Sequence, residues 1–476
     1  MKIAMITSEA NPFIKTGGLA DVTYALSKEL VALGEEVALF MPLYLPLRSK
    51  IFKKLKKACQ IDVHMSWRHA NTTVYKLLQD GITYYFVENQ QYFERDAIYG
   101  YADDGERFAF FDNAVYEALI ALKFKPDIIH VHDWQSAIFP CLCKERGDKF
   151  FKNTKYVLTI HNPAFLGILD PYALGNLFEL NDECYKNGKA EFKGVVSTLK
   201  CGITYADKIV AVSPNHRYEL LTVESGMGLH DVLGSRKDDF LGILNGIDCI
   251  EFNPSEDVYF IEHYDIEDYR VKKDLLKKDI CKAYGLKIKD KPLFSMVSRL
   301  TWQKGLDILV PTIEELAKQG NGIFIVGSGE KMYEDALQTL HDKYPDKVAV
   351  YIGYSNELAH KVYAASDFFL MPSLFEPCGL GQMIAERYGS LPIVRRVGGL
   401  KDSVIGYDNY NPETANGFGF DDYYKEALLN TCLYACDVYK DKKLFERLVQ
   451  NAINTDNSWE KSVLEYRKVY LDLLEK

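Results

Sequence analysis

Short runs of aliphatic and β-branched residues alternate along the chain with longer stretches whose apolar positions recur every three or four residues. That alternation predicts strands and helices of parallel α/β sheets. In the first half, Ile3–Thr7, Glu36–Phe40, Tyr84–Val87, Ile128–Val131, Tyr156–Ile160 and Ile209–Val212 read as strands, with helices over Asp21–Leu33 and Arg107–Leu122. The run Ile-Val-Ala-Val at the last of these strands is continuous, as suits a strand buried on both faces. After Gly246 the pattern restarts. Leu293–Val297, Gly322–Val326, Val348–Ile352, Phe368–Met371 and Pro392–Val394 read as strands, with helices over Gly305–Lys318 and Lys331–Leu340. Between the two sets, Asn245–Asp257 is rich in Gly, Pro, Asn and Asp and reads as a linker. One short pattern occurs in both halves: Gly17-Gly18-Leu19-Ala20-Asp21 and Gly398-Gly399-Leu400-Lys401-Asp402 each stand between a predicted strand and a helix.

Composition narrows the class. The 476 residues suffice for two large domains or three ordinary ones at roughly 100–200 residues each. A net charge of −10 argues against a duplex-binding protein, which needs a basic face to displace counterions. The densest basic stretch, Lys50–Lys57, is interrupted by Ile51, Phe52 and Leu55 and reads as a solvated amphipathic face. The ten cysteines are scattered, and neither Cys141/Cys143 nor Cys432/Cys436 has the CxxC spacing of a zinc site. Cys201 and Cys281 sit in apolar patterns as buried thiols, which fits a reducing compartment. MKIAMITSEA lacks the build of a signal peptide, and no run approaches the roughly 20 apolar residues of a membrane helix. A soluble, cytoplasmic protein is expected.

Four groups carry candidate chemistry. In Lys15-Thr16-Gly17-Gly18-Leu19-Ala20-Asp21-Val22, two glycines open the first helix and Lys15 adds a full charge. Bare backbone and a helix N-terminus there suit a diphosphate or glucan hydroxyls, although such a pair also makes a simple turn. Arg299 and Lys304 follow the strand Leu293–Val297, at the carboxyl end where open α/β sheets bind ligands, and both can reach one pyrophosphate. The alternative is a surface loop capping the next helix. In Phe375-Glu376-Pro377-Cys378-Gly379-Leu380-Gly381, the glycines bare backbone N–H groups while Glu376 suits sugar hydroxyls or oxocarbenium charge. Finally, His132-Asp133-Trp134 and His161-Asn162 end two buried strands. His130, His132 and His161 invite a metal reading, but no helical HxxxH or carboxylate cluster supports it.

Taken together, these segments resemble the bacterial glycogen synthase and plant starch synthase family. Tyr99–Phe110, Gly242–Asp248, Gly398–Asp402 and Ser458–Trp459 extend the match along the chain, and KTGGLADV with FEPCGL in that order is highly specific. The resemblance implies the α/β GT-B arrangement: two Rossmann-like domains, 1–241 and 242–456, a deep interdomain cleft, and a final helix within 457–476 returning to the first domain. It implies a retaining glucosyltransferase that moves glucose from ADP-glucose to the non-reducing 4-hydroxyl of an α-1,4-glucan. Arg299 and Lys304 would neutralise the departing diphosphate, with Glu376 beside the transferred glucose and Cys378, Gly379, Leu380 and Gly381 around the sugar. His161, Asn162 and Asp133 would contact the glucose or acceptor, and Lys15, Gly17 and Gly18 the phosphates and glucan. Asp21 and Asn245 are similar to further ligand contacts, and Tyr354 would stack on the base. No metal or cofactor is implied, and the expected partners are a nucleotide sugar and a glucan, with neither nucleic acid nor membrane. A plant origin would place the mature chain in the plastid stroma.

Departures from the family pattern are Leu166, Gly381 and Asn215-His216, none of which alters Lys15, Arg299, Lys304 or Glu376. The alternatives are a small-acceptor glucosyltransferase of the same fold, or a catalytically altered glucan-binding protein, whose mark would be loss of Glu376 or the cationic pair.

Overall fold

A computed structural model describes residues 1–475. The chain divides into two compact units: Met1–Ile243 joined by the chain from Ser462 onward, and Leu244–Lys461.

The first unit contains β1 (Lys2–Ile6), β2 (Glu36–Pro42), β3 (Lys56–Met65), β4 (Arg68–Gln79), β5 (Ile82–Val87), β6 (Ile128–His132), β7 (Lys155–Ile160), β8 (Ile168–Leu169), β9 (Glu191–Phe192), β10 (Val195–Ser197), β11 (Lys208–Ala211) and β12 (Phe240–Gly242). Its main sheet runs β12-β11-β7-β6-β1-β2-β5-β4-β3, and β8, β10 and β9 form a small antiparallel sheet. From β12 through β5 every pairing is parallel. These strands are the apolar runs of the sequence, and β6 is buried at all five positions. From β1 the chain first builds toward β2 and β5, then returns to start β6 on the other side. The point where strand order reverses therefore lies between β1 and β6.

β3 and β4 form an antiparallel hairpin at the sheet edge. Along β3, Ile61, Val63 and Met65 are buried and alternate with exposed Gln60, Asp62 and His64, as one wetted face requires. The stretch Lys50–Lys57 is thus not one amphipathic face. It spans the end of a helix (Leu45–Ile51), a 3₁₀ turn (Phe52–Lys54) and the start of β3.

The second unit contains β13 (Leu293–Val297), β14 (Gly322–Gly327), β15 (Val348–Ile352), β16 (Phe368–Met371), β17 (Leu391–Arg395) and β18 (Phe418–Phe420). All pair in parallel, in the order β15-β14-β13-β16-β17-β18. Counted from β13, this is the Rossmann order 3-2-1-4-5-6, whose reversal between β13 and β16 is the usual ligand-binding crevice. The expected linker is no free tether. Ile247 bridges to Ser458, and Asp257 is buried against His360 Nδ1 (2.7 Å) and the Tyr388 hydroxyl (2.5 Å).

The final helix is Trp459–Leu474; position 476 of the expected segment lies outside the described residues. Tyr470 on this helix and His130 in β6 join through Oη and Nδ1 at 2.7 Å, which ties the helix to the first sheet. All ten cysteines are free thiols, with Cys201 and Cys281 buried as their sequence context suggests. No helix among the described residues is long and apolar enough to cross a membrane.

Candidate functional site

In the first unit the candidate residues gather at the carboxyl ends of β1, β6 and β7, beside the reversal of strand order. Beyond β1 the chain makes a loop before the helix Gly18–Ala32, with Gly17 as its N-cap. Lys15 Nζ pairs with Asp21 Oδ2 at 2.6 Å. Burial raises the Asp21 carboxyl, and the Lys15 charge opposes that rise. Neither Gly17 nor Gly18 has a positive φ, and a Cβ built on either meets no atom within 4 Å. Nothing in the protein therefore excludes a side chain at these two positions. Open space over bare backbone is what an incoming ligand needs.

Beneath that loop lies Glu9, which sequence reasoning missed. Its carboxylate accepts the Thr16 backbone N–H at 2.5 Å and the Thr16 hydroxyl at 3.0 Å, and it also bonds Tyr99. Burial pushes the Glu9 carboxyl up, against those hydrogen bonds.

Asp133, directly after β6, adopts φ +53°, in the left-handed region that is uncommon outside glycine but that Asp and Asn enter more readily than other residues. Its Oδ1 accepts the backbone N–H groups of His161 (2.7 Å) and Asn162 (3.2 Å), so the ends of β6 and β7 are cross-tied. Burial pushes Asp133 up to about 7 although both amides favour the charged form, and the nearby Glu9 adds to the rise. His161 is half-buried, and burial holds its imidazole down at about 3. Its Nε2 lies 3.1 Å from His132 Nδ1. His130 Nε2 meets the Thr159 hydroxyl at 2.7 Å, and its Nδ1 is taken by Tyr470. Four of the six ring nitrogens are thus engaged by another histidine or by hydroxyls, while His132 Nε2 and His161 Nδ1 take no partner among the described residues. Among the described residues no cluster of three or more His, Cys, Asp or Glu is arranged to hold a metal ion. Leu166, one of the departures, uses its backbone: its carbonyl accepts the Ser197 hydroxyl at 2.7 Å.

In the second unit the loops after β13 and β16 meet at the reversal of strand order. Lys304 Nζ lies 2.5 Å from Glu376 Oε2, with both side chains largely buried, and the Ser373 hydroxyl donates to the same oxygen at 3.0 Å. Gly305 makes the approach possible. Its φ is +77°, and a Cβ there would stand 2.1 Å from the Pro372 carbonyl oxygen. The structure does not pair Arg299 with Lys304 on a common partner. Arg299 is exposed, and among the described residues its guanidinium takes no hydrogen bond or ion pair. Lys304 is thus held by Glu376 while Arg299 stands free at the same strand end.

Around Glu376 the chain is tightly packed. Gly379 has φ +76°, and the buried Cys378 thiol is pushed up to about 12 by burial, with an opposing hydrogen bond from Asn245. Asn245 is itself buried, and its Oδ1 has no partner among the described residues. Leu380 caps the helix Gly381–Arg387. A Cβ on Gly381 would come within 3.0 Å of the Phe369 ring, so Phe369 fills the space that a larger residue would need. Tyr354 lies just beyond β15 and is 80% exposed, and its hydroxyl donates a 3.2 Å hydrogen bond to Asn356 Oδ1.

Comparison with known proteins bears on the family and the fold. The starch synthase catalytic domain model matches residues 2–235, and the model for glycosyl transferases group 1 matches residues 278–455. A glycogen synthase of Clostridium beijerinckii is 44% identical over 99% of both chains, and one of Bacillus anthracis is 44% identical over 100% of both. Among solved structures, the catalytic domain of starch synthase IV from Arabidopsis thaliana, bound to ADP and acarbose, aligns with a TM-score of 0.92 at 30% identity. That alignment covers 100% of this chain and 99% of the other. The α/β GT-B fold and the resemblance carried by the sequence motifs are both borne out. At such identity over its whole length, the chain belongs to the glycogen and starch synthase family of glycosyltransferases.

Proposed function

We propose that this enzyme transfers glucose from ADP-glucose to the non-reducing 4-hydroxyl of an α-1,4-glucan with retention of configuration. The observation that carries the reading is the polar cluster at the Rossmann crevice of the second unit, where exposed, unpaired Arg299 stands at the strand end that also bears the Lys304–Glu376 pair. A nucleoside diphosphate offers Arg299 a bidentate partner, and its negative charge draws Lys304 away from Glu376. The two cations then stabilise charge building on the leaving oxygen, and Glu376 is released to face the oxocarbenium-like glucose. Removing one such preorganised donor typically lowers the rate about 10²–10³-fold. The 4-hydroxyl attacks from the face that the diphosphate leaves and passes its proton to the departing phosphate oxygen, so configuration is retained.

Cys378, Gly379, Leu380 and Gly381 contact the sugar through backbone, Asn245 lies beside them, and the open ring of Tyr354 stacks on adenine. In the first unit, His161, Asn162 and Asp133 hold glucose or acceptor. The open backbone at Gly17 and Gly18, with Lys15 and Asp21, faces phosphate and glucan. The scheme requires no metal or organic cofactor, because Arg299 and Lys304 carry the charge. The partners are the nucleotide sugar and the glucan, without nucleic acid or membrane, and we place the reaction in the cytoplasm. The starch synthase IV structure binds ADP and acarbose, a nucleotide and a sugar-like ligand, which supports the same pairing here.

Nucleotide release with ADP-glucose and UDP-glucose, each with and without glycogen, tests the reading. Glycogen-dependent ADP release that is lost in Glu376→Ala is expected. Absence of glycogen-dependent turnover with both donors would overturn it in favour of a small acceptor or a binding role.

A further inference from the structure

The histidine chain behind the first site determines more than packing. Burial keeps both His132 and His161 neutral, so each ring carries one proton. The His132 Nδ1 to His161 Nε2 contact needs one of those protons, and it can come from either ring. The environment of His132 decides which. Its Nε2 is buried and has no partner among the described residues, while the neighbouring His130 ring, with centroids 4.2 Å apart, has both nitrogens engaged by the Tyr470 and Thr159 hydroxyls. Were the proton on His132 Nε2, a buried N–H would be orphaned; on Nδ1, only a lone pair is. Orphaned buried donors are the rarer of the two in folded proteins.

We propose that His132 is a positioning residue, which donates from Nδ1 to His161 Nε2 and so fixes His161 as the Nδ1–H tautomer. The second nitrogen of a histidine commonly sets its tautomer in this way. His161 Nδ1 takes no partner among the described residues, so its proton is presented at the carboxyl edge of the sheet. The ring is held at its far nitrogen by His132, and the backbone by Asp133 Oδ1 at 2.7 Å. Under the proposed function, on which this part of the inference rests, that proton meets an oxygen of the donor glucose. His161 then acts as a hydrogen-bond donor and not as a base.

Nitrogen-15 NMR of the histidine-labelled full-length protein, with the His161 signals identified by their loss in His161→Asn, reads the tautomer directly. Protonated Nδ1 and bare Nε2 at His161 are expected; protonated Nε2 would overturn the proposal. Two variants provide a kinetic test. Asn places an amide N–H where Nδ1 stood, so His132→Asn should keep kcat within about 3-fold of wild type. His132→Leu should lower kcat by about 10–100-fold, the size seen for outer-shell orienting partners, with little change in KM for ADP-glucose. Equal impairment of the two variants, or none in either, would overturn it. If His132→Leu fails to fold, the wild-type spectrum and His132→Asn decide the question. Loss of the proposed function would show instead as absent glycogen-dependent turnover in wild type, which leaves the tautomer test standing.

Discussion

The two GGLxD segments look alike in sequence but answer to different constraints. At Gly398 and Gly399 the protein itself demands glycine. Gly398 has φ +43° with a would-be Cβ 1.9 Å from the Glu376 carbonyl oxygen, and a Cβ on Gly399 would stand 2.2 Å from that of Cys378. The Gly399 N–H also donates to the Glu376 carbonyl at 3.1 Å. This second pair thus buttresses the loop that carries Glu376. At Gly17 and Gly18 no neighbour and no backbone angle demands glycine. The same letters mark packing in one unit and open space in the other.

The contrast can be broken by mutation, taking effects on stability from the largest down. Lys304→Ala leaves the buried Glu376 carboxylate without its cation, and should cost about 3–5 kcal/mol in denaturant unfolding besides abolishing turnover. Gly399→Ala forces a methyl into backbone and should cost about 1–3 kcal/mol or more, with activity falling in step as the Glu376 loop shifts.

A pH series extends the comparison to the first site. Because burial raises Asp133 from 3.8 to about 7, the folded state holds a proton that the unfolded chain releases earlier. Stability from this group is full below 3.8, declines as pH rises toward about 7, and is flat beyond. The unfolding temperature of Asp133→Asn relative to wild type should therefore climb across that window and level off above it.

Gly18→Ala should barely move stability, with a gain of at most about 1 kcal/mol from helix propensity, yet lower glycogen-dependent turnover about 100-fold by crowding the ligand. A stability loss like that of Gly399→Ala would erase the distinction between the two segments. Lys15→Ala completes the series: its ion pair with Asp21 is half exposed and should contribute within about 1 kcal/mol, so a loss of activity there reports on ligand contact.

Much of this was legible because parallel strands buried on both faces leave continuous apolar runs. Leu293–Val297, Val348–Ile352 and Phe368–Met371 have the predicted bounds. The β3–β4 hairpin escaped because one of its faces is wet, so polar residues interrupt its apolar positions. Asn245–Asp257 has a linker's composition, but its Asn and Asp side chains make buried and turn hydrogen bonds. Motif-borne residues such as Lys304, Glu376 and His161 stood out through their loops. Glu9 did not, since a lone carboxylate belongs to no spacing pattern and its partner Thr16 is recognisable only once the loop has closed over it. The tie between His132 and His161 bridges 29 positions and depends on the register of β6 with β7.

The bond between Tyr470 and His130 has a consequence for biosynthesis. The first unit is interrupted in the chain by the whole of Leu244–Lys461, and its closing helix is translated only after that stretch. Domains generally fold as they emerge, beginning with the N-terminal one. Here the N-terminal unit must wait with the outer side of β6 uncovered, while the later-made second unit can finish first. Chaperone demand during synthesis should therefore fall on the earlier half of the polypeptide and end only when Tyr470 has left the ribosome.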